Sequence, residues 1–259
     1  MLENYDHKYQ DDGGRLIFMP TDASREFGDK LIGRILKRWQ PPSICYHLLP
    51  GGHIAAARAH LLNSLFVRMD IRRFYDSVTR TKVHRSLRDI GFKQRHALDA
   101  SLRSTVSKAP SGSGSPYSVP FGFVQSPMLA TLALMSSALG GAITTIYSTG
   151  TVVMSVYMDD LLLSGDCAAN LDAAKVSLEV AADKAGFAFN PEKGSGPAPS
   201  VTVFNLKIRR NDMELTPERF AVFEADILAD SVGFVTGGIL SYVSTVNSKQ
   251  HSALAALRP

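Results

Sequence analysis

Cysteine is nearly missing from this chain. Cys45 and Cys167 are the only two in 259 residues and lie far apart, which excludes a disulfide framework and a zinc knuckle and fits a reducing cytosol. Charge is missing from one whole stretch, since no Asp, Glu, Lys or Arg occurs from Ala109 to Met158. A membrane span is the natural rival there, but Pro110, Pro116, Pro120 and Pro127 break the run, and its most apolar part, Met128 to Ile146, carries Ser136, Ser137, Gly140 and Gly141 in its middle. No uninterrupted segment is both long and strongly apolar, so a buried helix is expected instead. Met1 to Gln10 has no apolar signal-peptide core, so no export and a cytoplasmic setting are expected. Internal repeats are also absent.

What is present is ordinary for a globular protein: 45% hydrophobic and 20% charged residues, enough apolar material for one large domain or two small ones. The 28 basic residues against 24 acidic ones give +4, a bias that permits a polyanionic partner without demanding one. A helix is expected from about Ser24 to Trp39, with Phe27, Leu31, Ile35 and Trp39 on its apolar face and Lys30, Arg34, Lys37 and Arg38 on the other. That basic face is either solvated or turned towards phosphates. Before it, Gly13-Gly14 tips a turn into a short strand ending near Pro20; after it, Pro41-Pro42 stops the helix.

The Ala-rich segment from Gly51-Gly52 to Leu62 predicts a second helix. Leu65 to Ile71 alternates as a strand, with Leu65, Val67, Met69 and Ile71 on a core face and Phe66, Arg68 and Asp70 on the other. A helix from Ser77 or Thr79 to Ile90 stops at Gly91, and Ser107 to Val119 is rich in Ser, Gly and Pro and reads as a mobile loop. A helix then starts with Ser126 as N-cap and Pro127 at its first position. Leu171, Ala174, Leu178 and Ala181 mark another, ending at Gly186. Phe187 to Asn190 and Val201 to Ile208 are expected strands about a Lys193-to-Pro197 turn, followed by helices from Thr216-Pro217 and over Ile239 to Leu257. The pattern predicts an α+β fold with helices packed on an antiparallel sheet.

Ser155 to Leu163 holds two β-prone arms around Met158, Asp159 and Asp160 and predicts a hairpin with these residues at or near its tip. An isolated Asp-Asp turn is usually only a turn. Asp70 on a second strand changes this, since three carboxylates could then meet at one end of a sheet. Such a cluster repels itself unless a hard cation joins it, and Mg²⁺ favours a few carboxylates together with waters and phosphates. Two such ions about 3.5–4 Å apart stabilise both the attacking and the leaving oxygens of a phosphoryl displacement.

From about Arg15 to Ile208 these motifs, in this order, resemble the palm of a reverse transcriptase, more narrowly the prokaryotic retron-like and defence-associated kinds. Tyr157-Met158-Asp159-Asp160 resembles the family's catalytic motif, and Met69-Asp70-Ile71-Arg72-Arg73-Phe74-Tyr75-Asp76-Ser77-Val78 its first acidic motif. The resemblance implies a right-hand polymerase: fingers over 1–64, palm over 65–208 with an insertion at about 92–120, and a short thumb-like helical segment over 209–259. It makes Asp70 and Asp159 the principal ligands of two Mg²⁺ ions, with Mn²⁺ an alternative, Asp160 supporting and the Ile71 backbone carbonyl contributing. Tyr75 matches the aromatic that excludes a ribose 2′-hydroxyl, and Arg15 the arginine that clasps the triphosphate. Gly122 with Ser126-Pro127 resembles the turn and helix that hold template and nucleotide, although many relatives carry a polar glutamine where this chain has Phe121. Lys193, in Gly186 to Lys193, matches a lysine that protonates the pyrophosphate leaving group, and Phe204-Asn205-Leu206 resembles the primer grip.

Ala56 to His60 and Val201-Thr202-Val203 depart from the retron signatures, which points to a defence-associated, non-retron group. The activity implied is RNA-directed DNA synthesis in antiphage defence, with an RNA template, a DNA product and deoxynucleotides as partners. A non-coding RNA or a partner protein is compatible, no membrane is involved, and the oligomeric state is open. Phe121 and the roughly fifty residues after the primer grip also allow untemplated or protein-primed synthesis. A non-catalytic nucleic-acid-binding scaffold is a third alternative, opposed by the repulsion between clustered carboxylates and a polyanion.

Overall fold

In this computed structural model, which describes residues 4–107, 117–230 and 232–257, β1 (Tyr5–Gln10) and β2 (Leu16–Pro20) pair as an antiparallel hairpin. Thr21 accepts from the Ser24 amide and so starts α1 (Asp22–Leu36); the cap moves the helix two residues towards the N-terminus of its expected start. A 3-10 turn (Tyr46–Leu48) and α2 (Gly52–Arg58) lead to β3 (Leu65–Asp70). Next come α3 (Phe74–Ser77), α4 (Arg80–Asp89) and α5 (Gln94–Arg103). The loop expected from Ser107 to Val119 falls largely outside the described residues.

α6 (Ser126–Met135) and α7 (Ala138–Thr149) precede β4 (Val153–Tyr157), β5 (Asp160–Gly165) and α8 (Ala168–Ala185). The chain continues through β6 (Ser195–Ala198), β7 (Ser200–Val203), β8 (Leu206–Arg209) and β9 (Asp212–Leu215). It ends in α9 (Pro217–Ala229), α10 (Phe234–Ser244) and α11 (Ser248–Ala255). Among the described residues the strands form a β1-β2 pair, a four-stranded sheet in the order β4-β5-β3-β6, and a β7-β8-β9 sheet. This is the expected mixture of helices and antiparallel sheet.

The four-stranded sheet is buried on both sides. Val67, Met69 and Ile71 join Val156, Leu161 and Leu163 and helical residues such as Leu87, Leu132 and Leu178 in one core. Phe66 and Leu162 face the other way, into a second core with Val203, Ile208, Leu215, Phe223 and Val243. The expected face of Phe66, Arg68 and Asp70 is therefore apolar where the β7-β8-β9 unit covers it and charged only towards the strand end.

Several local expectations are corrected. The single helix expected from Ser126 to Ile146 is two helices bent by 75°, because Ser137 caps the second and accepts from the Gly140 amide. Gln125, not Ser126, is the residue before α6. The strand expected over Val201 to Ile208 is a hairpin, turned at Phe204 (φ 57°) and Asn205 (φ 61°); left-handed conformations at both positions suit a two-residue turn. Phe187 to Asn190 pairs only through a bridge between Ile71 and Phe189, and the expected Lys193-to-Pro197 turn gives way to edge strand β6, paired with β3. The last helix is broken at Asn247, whose side chain caps α11. β1, α3, α5 and β9 had no expected counterpart. Among the described residues no single helix is long and apolar enough to cross a membrane.

The bend between α6 and α7 predicts a sensitive position. A Cβ at Gly140 would lie 2.4 Å from both the Cα and the carbonyl oxygen of Met135. Gly140→Ala is expected to lower stability by about 1–3 kcal/mol, the usual scale of overpacking, measurable by urea denaturation, whereas Gly141→Ala, with open space at its Cβ, is expected to be neutral or stabilising.

Candidate active site

Asp70 is the last residue of β3 and stands opposite Asp160, the first of β5. Tyr157 pairs with Asp160 across the hairpin, so Met158 and Asp159 form its two-residue tip, with Met158 left-handed at φ 59°. The ladder continues past β3: the Ile71 amide donates to the Asp159 carbonyl at 2.8 Å, and the Asn190 amide donates to the Asp70 carbonyl at 2.8 Å. Main-chain bonds from two sides thus hold Asp70 beside the Asp-Asp turn. Ile71 itself is buried.

The three carboxylates have different surroundings. Asp70 is 3% exposed and accepts from Lys193 Nζ at 3.1 Å. Asp160 Oδ1 accepts from Arg68 Nε at 2.9 Å and from Nη2 at 2.8 Å. Burial, then the charges of Asp160 and Asp70, push Asp159 up to about 6, with Lys193 opposing. Burial also raises Asp160, against the pull of Arg68. Among the described residues no three His, Cys, Asp or Glu side chains form a ready-made metal cage. The donor set nonetheless fits a hard divalent cation in its chemistry: carboxylate oxygens, crowded enough that one is reluctant to ionise, relax when positive charge arrives.

The residues expected at the nucleotide end form a connected series. Gly122 has φ 101°, and a Cβ there would sit 2.1 Å from the Phe18 carbonyl oxygen, so only glycine permits β2 to dock at this point. The Phe18 amide donates to the Phe121 carbonyl at 2.9 Å. Phe121 stacks on Tyr75 with ring centroids 4.5 Å apart. The Arg15 guanidinium lies 5.8 Å from the Phe121 centroid, and its Nε donates to Asp11 at 2.8 Å. Burial raises the Tyr75 hydroxyl pKa, and the nearby Asp159 charge adds to the shift, which ties this series to the carboxylates.

Two further residues shape the site without having been singled out in the sequence. Arg68 read only as part of an alternating face, because its partner lies 92 residues away. His47 gave no signal at all. Its Nδ1 accepts from the Met158 amide at 3.1 Å, so Nε2 carries the proton and donates to Thr131 Oγ1 at 2.6 Å. Thr131 in turn donates to the Pro127 carbonyl at 2.8 Å. The hairpin tip is thereby tied to the first turns of α6. On its other side, Tyr157 packs on Phe204 with centroids 4.9 Å apart, beside a cavity of about 340 Å³ lined by His53, Asn205, Arg219, Phe223 and Tyr242 as well.

A family model described as reverse transcriptase (RNA-dependent DNA polymerase) matches residues 11–203. No curated protein matches the chain. Among solved structures it is similar to telomerase from Candida albicans in complex with a TWJ fragment of telomeric RNA, with TM-score 0.56 and 10% identity over 93% of this chain and 53% of that one. Apo telomerase from Candida tropicalis, truncated from its C-terminal domain, gives 0.56 and 13% over 82% and 54%. A foamy viral protease-reverse transcriptase in complex with double-stranded DNA gives 0.52 and 14% over 96% and 42%. The chain spans about half the length of these solved chains or less, and at such identities the likeness is one of fold.

The raised Asp159 makes a signed prediction. Its folded value of about 6 lies above the ordinary 3.8, so the folded chain binds more protons between those values and stability falls as pH rises through them. Asp159→Asn is expected to raise stability at pH 7, in a chelator, by up to about 3 kcal/mol, at about 1.4 kcal/mol per unit. Denaturation at a series of pH values checks this, since the gain should disappear below about pH 4.

Proposed function

The chain belongs to the reverse transcriptase (RNA-dependent DNA polymerase) family, and from that membership we propose that it copies RNA into DNA from deoxynucleotides by two-metal nucleotidyl transfer. The observation that carries the proposal is the meeting of Asp70, Asp159 and Asp160 at one sheet end, with Lys193 on Asp70. Asp70 and Asp159 would hold Mg²⁺, or Mn²⁺ in its place, with Asp160 in support and the Ile71 carbonyl close by; bound there, the ions supply charge stabilisation to the attacking and leaving oxygens.

The chain's own groups take the remaining roles. Lys193 is a half-exposed ammonium beside the carboxylates, suited to giving a proton to departing pyrophosphate. Arg15, exposed on the β1-β2 hairpin, offers a planar fork to the triphosphate. Tyr75, held in place by Phe121, is the barrier to a 2′-hydroxyl, and Gly122 lets the backbone come close. Residues 1–64, 65–208 and 209–259 are assigned as fingers, palm and thumb-like segment. A cytoplasmic role in antiphage defence belongs to the same proposal and rests on the departures from the retron signatures at Ala56 to His60 and Val201 to Val203.

One observation favours a second mode of synthesis. The Phe121–Tyr75 stack sets an apolar pair where relatives carry a glutamine, which suits untemplated or protein-primed polymerisation. A non-catalytic scaffold explains the site poorly, because clustered carboxylates repel a polyanion.

The decisive experiment incubates purified protein with an RNA template, deoxynucleotides and Mg²⁺ and sequences the product. Complementary DNA is expected, and Asp159→Ala is expected to reduce it by at least about 10²-fold, the scale of losing one transition-state contact. Homopolymer or random product would displace the templated mode, and product unaffected by Asp159→Ala would sink the proposal. In the same assay Tyr75→Ala is expected to raise ribonucleotide use by about 10–10²-fold.

A further inference from the structure

The supporting role of Asp160 can be specified further. Both nitrogens that Arg68 aims at Asp160 bind the same oxygen, Oδ1, and the third, Nη1, donates to the Thr202 carbonyl at 3.1 Å. The Arg68 and Asp160 side chains are only 23% and 16% exposed, so water and salt screen this pair weakly. Arg68 lies inside β3, which fixes its backbone, and its planar fork holds two acceptors in a set geometry. Thr202 lies in β7, two residues before Phe204, and Phe204 packs on Tyr157. Tyr157 is the strand partner of Asp160. The contacts close a ring: Asp160, Arg68, Thr202, Phe204, Tyr157 and back to Asp160.

The other carboxylates are held differently. The Lys193 side chain on Asp70 is 55% exposed and makes a single bond, which an arriving cation can replace. Among the described residues no cation stands within ion-pair distance of Asp159.

We propose that Asp160 is a positioning residue and not a metal ligand: through Arg68 it pins the β7-β8 hairpin tip against Tyr157, fixing where the primer end lies and leaving the cation to Asp70 and Asp159. The statement about the primer rests on the polymerase reading; the clamp and the division of the carboxylates do not.

Three measurements on the full chain test it. Mn²⁺ alone, titrated by calorimetry or by the paramagnetic resonance of the free ion, is expected to bind at least about tenfold more weakly to Asp159→Asn and Asp70→Asn, a loss typical of damage to a metal site. Asp160→Asn and Arg68→Leu are expected to bind it as the wild type does. Equal weakening in Asp160→Asn and Asp159→Asn overturns the proposal. Hydrogen exchange at the amides of residues 203–206 is expected to quicken about tenfold in Arg68→Leu and Asp160→Asn and not in Asp159→Asn, as local opening becomes easier. Unchanged exchange in both clamp variants overturns the clamp.

In primer extension, both variants are expected to raise KM for the primer–template several-fold more than they lower kcat, with Arg68→Leu/Asp160→Asn no worse than the worse single change, the mark of one coupled pair. Effects that multiply overturn the proposal. A wild type that binds Mn²⁺ and protects the hairpin yet makes no DNA defeats the polymerase reading, while the exchange and Mn²⁺ results still support the clamp.

Discussion

The antiparallel register of β3 on β5 is the constraint on which the rest depends. It sets Asp70 against Asp160, and a slip of one residue would turn every side chain of β3 to the opposite face. Such a slip is blocked from both sides, because Val67 and Met69 fill one core and Phe66 the other. Two more restraints act at the acidic end. The two-residue tip at Met158 and Asp159 leaves no slack between β4 and β5, and the Ile71 amide bonded to the Asp159 carbonyl carries the ladder one step beyond the strand. Burial of apolar residues along the sheet thus determines where acids from distant parts of the chain end.

Placing three acids there is electrostatically unfavourable. At an effective dielectric near 20, like charges about 4 Å apart repel by about 4 kcal/mol. The chain offsets this with two internal cations of different character. Arg68 projects from a central strand and binds with a rigid fork, whereas Lys193 follows the isolated Ile71–Phe189 bridge and is half exposed. A guanidinium held inside a strand by two bonds to one oxygen is harder to displace than a half-exposed ammonium with a single bond. Asp159, paired with neither, shows its burial first and then the residual repulsion as a raised affinity for a proton.

How much of this was legible follows from how local each signal is. β3, the Asp-Asp hairpin and α8 were readable because alternation, a polar tip and helical spacing are written in adjacent residues. The break between α6 and α7 was not, since Gly140 reads as a tolerated helical glycine until the Met135 backbone is seen against it. The turn at Phe204-Asn205 hid for another reason: asparagine at positive φ is a known signal, but phenylalanine before it reads as strand. β6 was masked by its Gly and Pro, which suit a sheet edge as well as a turn. In the site, acids could be found by type and spacing. Arg68 and His47 could not, because each matters only through a partner brought near by the fold.

Two histidines, His60 fully buried and His47 half-buried, show what kind of support such an acidic end tolerates. His60 joins Ser155 of β4 to Ser164 of β5, and His47 joins the Met158 amide to Thr131 of α6. Burial pushes His60 down to about 3 and His47 to about 4, so both are neutral at physiological pH. A neutral imidazole donates through one nitrogen and accepts through the other, which lets it bridge two elements without adding charge. A protonated His47 would have to give up the Met158 amide, because a cationic ring has no acceptor, and the tip that carries Asp159 would lose its tie to α6. These two histidines therefore brace the hairpin without adding charge beside the Arg68 clamp, and leave the unbalanced negative charge at Asp159, where a cation can meet it.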